Sequence, residues 1–450
     1  MYRTKVGTLP DTLASVRNNN LYDPIGKIGN QGRLILKSGK VIDPKNNIED
    51  VLDIAIVNDK IQEVSKDIKA EKGDRVINCE GLLVVPGLID MHLHLGDLFE
   101  VTTRPIHSAA EDGVTLGLSP GAGNTFMAPA LLGAEIDKGL PMNLGVYLGA
   151  VNVLGTMLSV EELIKLFKGD LDENIAFEKM TRNRITYTTA PLTIGIKDHM
   201  GHFIMSDENI DKIYEITSKA KLLYMSHTQD PAHAERLVSL SKGRPIHLAH
   251  ATAAGCGSHD GPVEGMKAVI DLCKKENVTG EFVTTMLRKG LGSREGLQMT
   301  KASQQCAYDA LEKGIVNILI SDGQNQATMK GFGDTRDNIP AIVELAEMGV
   351  LSLSEAVATM TANPAKLIAE RTGNDWWINE VGNLGQGALA NVTIIDAADK
   401  LPTYTIVNGE IVSFENRTVR RGEGAGGWVS KYGMVRNTGV GDLASLSHIR

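Results

Sequence analysis

The sequence predicts an α/β protein: a closed (β/α)₈ TIM barrel carrying a small β-sandwich domain assembled from both chain ends. Two patterns lead there. Short apolar strands alternate with helical stretches through the middle of the chain, which implies a parallel sheet, and β-rich runs broken by turn signals occupy both flanks. A central segment of about 290 residues suits a barrel of the usual ~250 residues with modest insertions. An open doubly wound sheet would need a glycine-rich dinucleotide turn after its first strand, and Pro86, Gly87, Leu88, Ile89 and Asp90 do not supply one.

Taken in order, residues 1–32 form a polar N-terminal extension that includes Asn18, Asn19 and Asn20. Residues 33–84 alternate β-rich runs (34–36, 53–57) with turns at Ser38-Gly39-Lys40 and Asn58-Asp59-Lys60, the pattern of a small antiparallel sheet. Residues 391–396 and 404–410 repeat it, so 33–84 and 380–420 are assigned to one small β domain and 85–379 to the barrel. Within the barrel, a strand at 221–225 precedes a helix at 231–240, and a strand at 316–320 precedes a helix at 340–348. Pro340 suits the first position of that helix, where its missing N–H costs nothing. Residues 421–450, rich in Gly and Ser, read as an extended tail that is either disordered or dresses a neighbouring subunit.

At 450 residues, one large domain plus a smaller one is expected. The 42% hydrophobic and 22% charged content excludes a disordered or fibrous chain. A formal charge of -9 without clustered Lys and Arg gives no basis for binding nucleic acid. The polar start is no secretion signal, and no stretch approaches the ~20 apolar residues needed to cross a bilayer. A cytoplasmic protein that meets neither nucleic acid nor membrane is expected. Cys79, Cys256, Cys273 and Cys306 include no C-x-x-C pair and read as reduced, mostly buried thiols.

The chemistry-bearing pattern begins at residues 84–94, an apolar strand that ends in His92-Leu93-His94. Side chains at i and i+2 share one face of a strand, so both imidazoles point into one site, which in a barrel is the C-terminal mouth. Imidazole is the commonest metal ligand; the alternative is two satisfied core histidines. Two further strand ends carry a histidine, His227 and His250. His247 is set aside, since it lies three residues from His250 and the two cannot share a strand face. Asp322 ends a late strand; followed by Gly323, it is otherwise an ordinary turn.

Residues 117–121, Gly-Leu-Ser-Pro-Gly, match the G-x-S-x-G elbow of serine hydrolases. That elbow uses the N–H after the serine in its oxyanion hole, and Pro120 has none. A turn after the second barrel strand is the better reading.

With His-x-His, His, His and Asp spread in order over the strands, the chain resembles the amidohydrolase superfamily over nearly its whole length. It is most similar to the isoaspartyl dipeptidase, D-aminoacylase and hydantoinase branch, which is dihydroorotase-like. The residues that carry this are Thr102-Thr103-Arg104, Asp112-Gly113-Val114-Thr115, Ile194-Gly195-Ile196-Lys197, Ser321-Asp322-Gly323 and the closing run at 385–396. The resemblance implies two divalent metal ions, with zinc expected and iron, manganese or cobalt as alternatives. It also implies a CO₂-derived carbamate on Lys197, because a protonated ammonium has no lone pair to offer a cation. The bland alternative is a surface lysine after a buried strand. His92, His94 and Asp322 would hold one ion and His227 and His250 the other, with the carbamate and a hydroxide between them. Asp322 would also move the proton from the attacking water to the departing nitrogen.

The resemblance further implies hydrolysis of a C–N amide bond with a small-molecule substrate, most simply a cyclic amide or ureide such as a hydantoin, dihydropyrimidine or lactam, in a homo-oligomer (dimer or tetramer). Three alternatives stand beside it: an N-acyl-D-amino-acid or β-aspartyl dipeptide hydrolase, a mononuclear deaminase using Asp230, and a non-catalytic relative. The isoaspartyl dipeptidase branch uses arginines after the fourth and sixth strands, and residues 198–202 and 251–255 contain none. Dihydroorotases carry an arginine two residues after the His-x-His pair, where this chain has Gly96. Arg104, His199, His202 and His259 are candidate substrate contacts, the histidines because they follow strand ends.

Overall fold

A computed structural model describes residues 32–94, 105–121, 123–137, 139–199, 204–292, 296–323, 331–419 and 425–435. The barrel strands are, in order, Leu88–Asp90, Val114–Ser119, Asn143–Gly149, Gly195–Asp198, Leu223–His227, Ile246–Ala249, a seventh broken into Val278–Gly280 and Phe282–Val283, and Leu319–Ile320. Neighbours pair in parallel from first to eighth, except across the break: Val278–Gly280 pairs back to the sixth strand and Phe282–Val283 forward to the eighth. The barrel closes through a parallel bridge between Leu93 and Gly323, where the His94 N–H donates to the Gly323 carbonyl at 3.0 Å.

Strand alternation divides the apolar residues between two layers. Ile89, Met91, Leu116, Leu118, Tyr147, Leu223, Met225, Val283, Ile318 and Ile320 fill the barrel interior. Leu88, Leu148, Ile196, Leu222, Tyr224, Leu248, Phe282 and Leu319 pack outward with the surrounding helices. Such helices begin where the sequence supplies a cap: Ser159 and Ser352 each form a capping box, with Glu162 and Glu355. The strand expected at 221–225 is Leu223–His227, shifted so that His227 is its last residue. Helix Pro231–Leu240 has Pro231 in its first turn and Asp230 as its N-cap. The other proline helix starts earlier than expected, at Asn338, so Pro340 is its third residue; its missing N–H still falls in the first turn, which has no intrahelical acceptors.

Both chain ends build one nine-stranded sheet, whose central contact is antiparallel pairing between Leu83–Pro86 and Val392–Asp396. Leu34, Leu36, Ile54, Ile56, Val84, Val392, Ile394 and Ile406 form its core. Within the stretch read as a tail, Trp428–Ser430 and Gly433–Val435 form a hairpin that joins the third barrel strand through Leu144. The Lys431 ammonium, buried, donates to the carbonyls of Phe167 and Ala220 at 2.7 and 2.9 Å, and so caps two helix C-termini. Among the described residues no helix is long and apolar enough to cross a membrane. Burial pushes the Cys79 and Cys273 thiols up to about 12, which leaves them unreactive.

Barrel, sheet and hairpin meet at three buried asparagines. Asn408 Nδ2 donates to Asn143 Oδ1 at 2.8 Å and to Ala425 O at 2.8 Å; the Gly427 N–H donates to Asn143 Oδ1 at 2.9 Å, and the Asn408 N–H to Asn391 Oδ1 at 2.9 Å. Replacing Asn143 with Leu removes the acceptor of the Gly427 N–H and one acceptor of Asn408 Nδ2, at a cost of about 1–3 kcal/mol for each group left unpaired. The expected outcome of Asn143→Leu is a lower urea midpoint, with the C-terminal hairpin becoming susceptible to limited proteolysis; an unchanged midpoint removes the junction role.

Candidate metal centre

Every candidate side chain sits at or just beyond a barrel strand end. His92 and His94 follow the first strand, Lys197 lies in the fourth, His227 ends the fifth, His250 follows the sixth and Asp322 follows the eighth. Gly195 lets the fourth strand approach the fifth, since a Cβ there would meet the Leu223 carbonyl oxygen at 2.2 Å. Two of these residues, His250 and Asp322, adopt left-handed backbone at φ 38° and φ 48°, unusual for side chains with a Cβ and frequent at functional sites. At His250 this turn ends the alternation of the sixth strand.

The ligand atoms of His92, His94 and Asp322 lie within 4.8 Å of one another, all three residues buried. Asp322 Oδ1 is 3.0 Å from His92 Nε2 and 3.1 Å from His94 Nε2, while its Oδ2 accepts the Phe332 N–H at 3.0 Å. The His92 and His250 ring centroids are 5.2 Å apart, and His250 and His227 meet edge to face at 4.5 Å. Phe332 covers His250 at 4.8 Å. Lys197 is 1% exposed, and its charge acts on His227 and His250.

The electrostatics favour lone pairs at the second half of the cluster. Burial, assisted by the neighbouring Lys197 charge, pulls His227 down to about 3; burial and His227 hold His250 well below the ordinary imidazole range. Burial also draws Lys197 down to about 8 against the pull of Asp322, Glu281 and Asp198, so a neutral, nucleophilic amine is accessible near neutral pH. Asp322 is driven up by burial, but His92, together with hydrogen bonds from His92 and His94, outweighs it and holds the carboxyl well below the usual carboxylate range. This donor set fits divalent cations: neutral imidazoles, an ionised carboxylate, and a His250 Nδ1 that is buried without a hydrogen-bond partner.

The substrate-contact candidates separate. His199 is half-buried; its Nε2 is enclosed without a partner, and burial, followed by Lys197, His94, His227 and His92, holds its pKa well below the ordinary imidazole range, which sets it beside the cluster. His259 is exposed, with Nδ1 4.0 Å from Asp230. Arg104, His202 and Gly96 lie outside the described residues. Asp230, offered for a deaminase, accepts the Ala232 N–H at 3.0 Å and is engaged as a helix cap.

Glu281 was missed. It is fully buried at the break in the seventh strand, and its carboxylate receives His92 Nδ1 at 2.5 Å, His247 Nε2 at 2.9 Å and the His250 N–H at 3.1 Å. His247, set aside as a ligand in favour of His250, is buried and pairs with Glu281 and with the Thr279 hydroxyl. The available signal was a lone acid inside an apolar strand, Val278-Thr279-Gly280-Glu281-Phe282-Val283. Asp90, likewise buried, ties the first strand to the eighth: its oxygens accept the Ser321 N–H and Asn338 Nδ2, each at 3.3 Å.

Known proteins share this architecture. A dihydroorotase of Geobacter metallireducens is 25% identical over 448 residues, covering 84% of this chain and 99% of the relative. Among solved structures, an L-hydantoinase (dihydropyrimidinase) from Arthrobacter aurescens superposes with a TM-score of 0.66 at 16% identity, covering 88% of this chain and 99% of its own. A β-aspartyl dipeptidase from Fervidobacterium islandicum AW-1 does so with a TM-score of 0.61 at 16% identity, covering 87% and 99%. Residues 83–412, nearly three quarters of the sequence and all of the candidate ligands, match the Amidohydrolase family, and the chain belongs to that family.

Proposed function

We propose that the chain is a metal-dependent hydrolase of cyclic amides or ureides, of the hydantoin or dihydropyrimidine type, in which His92, His94, a carboxylated Lys197, His227, His250 and Asp322 hold two divalent ions. The observation that carries the reading is the buried convergence of His92 and His94 with Asp322, which lies 228 positions beyond His94, beside a lysine that burial inclines towards neutrality. A neutral amine can take up carbon dioxide as an anionic carbamate; a charged one cannot. Zinc is the expected metal, with iron, manganese or cobalt as alternatives, in a cytoplasmic homo-oligomer.

Divalent cations in such a pocket lower the pKa of water towards neutrality and polarise a carbonyl oxygen. The protein's own groups supply the rest. Asp322, ionised and held by Phe332 N–H, is suited to accept the proton of the attacking water at its free lone pairs and to pass it to the leaving nitrogen. His199, with an enclosed and unpartnered Nε2, is the best candidate to meet a polar substrate group. Phe332 shields His250 and limits water around the reacting atoms.

Solved neighbours named hydantoinase and dihydropyrimidinase support the ring class, and the relative named dihydroorotase adds a third cyclic amide. Gly96 stands where dihydroorotases carry an arginine, which favours rings without a carboxylate there. The β-aspartyl dipeptidase neighbour keeps dipeptides in the test panel. The role given to Asp230 as a cap, together with the buried Lys197, weighs against a mononuclear deaminase.

Metal analysis of the purified chain is expected to give two equivalents per subunit, with turnover of a hydantoin or dihydropyrimidine that a chelator abolishes; metal-free protein with full activity overturns the reading. In Lys197→Ala, metal uptake should fall and lose its dependence on added bicarbonate, whereas bicarbonate-independent loading of the wild type removes the carbamate. Asp322→Asn should lower kcat by about 10²–10⁴-fold, and a fully active variant eliminates the proton transfer assigned to Asp322.

A further inference from the structure

We propose that Glu281 is the positioning residue of the metal centre, and that His247 is its brace: one buried carboxylate sets the ring of His92 and the backbone of His250 for their ligands' work. The inference rests on the metal-binding reading above and extends it to residues that are not ligands.

The geometry begins with the broken seventh strand. Glu281 lies between Val278–Gly280 and Phe282–Val283 and belongs to neither pairing, yet its backbone is fully used. Its N–H donates to Leu248 O at 3.1 Å, and its carbonyl accepts the Ala251 N–H at 2.8 Å. Those two contacts span the end of the sixth strand on both sides of His250. The side chain then divides its oxygens. Oε1 takes the His92 Nδ1 proton and the His250 N–H; Oε2 faces His247 Nε2.

Three consequences follow for binding a cation. A carboxylate has no proton of its own to offer when ionised, so His92 must present Nδ1–H to it and keep the Nε2 lone pair for the site, where Nε2 already faces Asp322 at 3.0 Å. The same contact makes His92 a stronger donor, as a carboxylate partner raises imidazole basicity. The N–H of His250, held in a left-handed turn that side chains seldom adopt, gains a charge-assisted acceptor that steadies the turn and hence the ring it projects.

His247 keeps Glu281 in place. Its Nε2 occupies the second carboxylate oxygen, and its Nδ1 lies 2.8 Å from the Thr279 hydroxyl, two residues before Glu281 on the same face. The chain Thr279, His247, Glu281, His92 therefore runs from the interior wall to the ligand cluster with each polar atom engaged. A carboxylate buried this deeply is retained only when its lone pairs are matched, and here three donors, one after the first strand and two from the sixth strand and its end, match them.

The test compares wild type with Glu281→Ala, Glu281→Gln and His247→Phe, each stripped of metal and titrated with Co(II), reading affinity and the visible absorption band, alongside the thermal midpoint of the metal-free protein. Loss of about 10–100-fold in Co(II) affinity with a shifted band is expected for Glu281→Ala, and a smaller loss for Glu281→Gln, whose amide oxygen still accepts from one histidine. His247→Phe should shift the band in the same direction. Should Glu281→Ala fail to fold, Glu281→Gln, equal in size, carries the comparison. A folded Glu281→Gln with wild-type affinity and band overturns the positioning role and leaves the metal-binding reading intact. A wild type that binds no Co(II) overturns both.

Discussion

The closure between the first and eighth strands is the constraint on which the site depends. Leu93 bridges Gly323, and the His94 N–H donates to the Gly323 carbonyl, so the residues on either side of that contact are forced into register. His94 and Asp322 thereby meet at 3.1 Å although 228 positions separate them. Below the contact, Asp90 accepts from Ser321 and Asn338, which secures the same seam at a second level. A barrel left open at this point would keep every strand but would lose the shared carboxylate. Fold and site are thus one event: the hydrogen bonds that complete the sheet are adjacent, residue by residue, to those that bring His92, His94 and Asp322 together.

Regular strands alone do not complete the cluster. A strand delivers side chains every second residue, which serves His92 and His94 but cannot serve His247 and His250 together. The sixth strand ends at Ala249, His250 turns left-handed, and the ring swings to meet His227 and His92. Asp322 uses the same device after the eighth strand. The seventh strand breaks at Glu281, and its carboxylate takes up the N–H that the turn at His250 turns towards it. Three departures from ideal β geometry, in three neighbouring strands, therefore compensate one another at one place.

What was legible in the sequence follows from this division. The barrel, the sheet built from both ends and the strand-end histidines were readable because alternation and turn residues are local signals; the run read as one strand at 84–94 divides at Gly87, Leu83–Pro86 joining the terminal sheet and Leu88–Asp90 the barrel ahead of His92 and His94. The partnership of Glu281 with His92 was not readable, since it joins positions 189 apart and no local rule marks a buried acid as a histidine partner. The pairing of His247 with Glu281 was hidden in the same way, by a separation of 34 positions, and the strand that carries His247 ends one residue before His250. The C-terminal hairpin escaped because its strands are only three residues long: Trp428, Val429 and Val435 are buried, but they pack on distant parts of the chain, as do the Asn143 and Asn408 junction and the buried ammonium of Lys431.

Charge balance explains why these groups can share one buried pocket in two different states. Without cations, Asp322 and Glu281 raise the His92 pKa against burial, and Asp322, Glu281 and Asp198 oppose the burial that draws Lys197 down to about 8. On the proposed reading, two dications bring four positive charges, and a buried pocket holds them only where nearby anions offset that charge. Asp322 and Glu281 supply two, carboxylation converts Lys197 from a cation into a third, and a deprotonated nucleophile is the fourth. An unmodified, charged Lys197 would leave a large uncompensated excess in the same volume. On that reading, carboxylation of Lys197 and ionisation of the nucleophile would let this particular pocket, where Asp322 and Glu281 face His92, accommodate two metal ions.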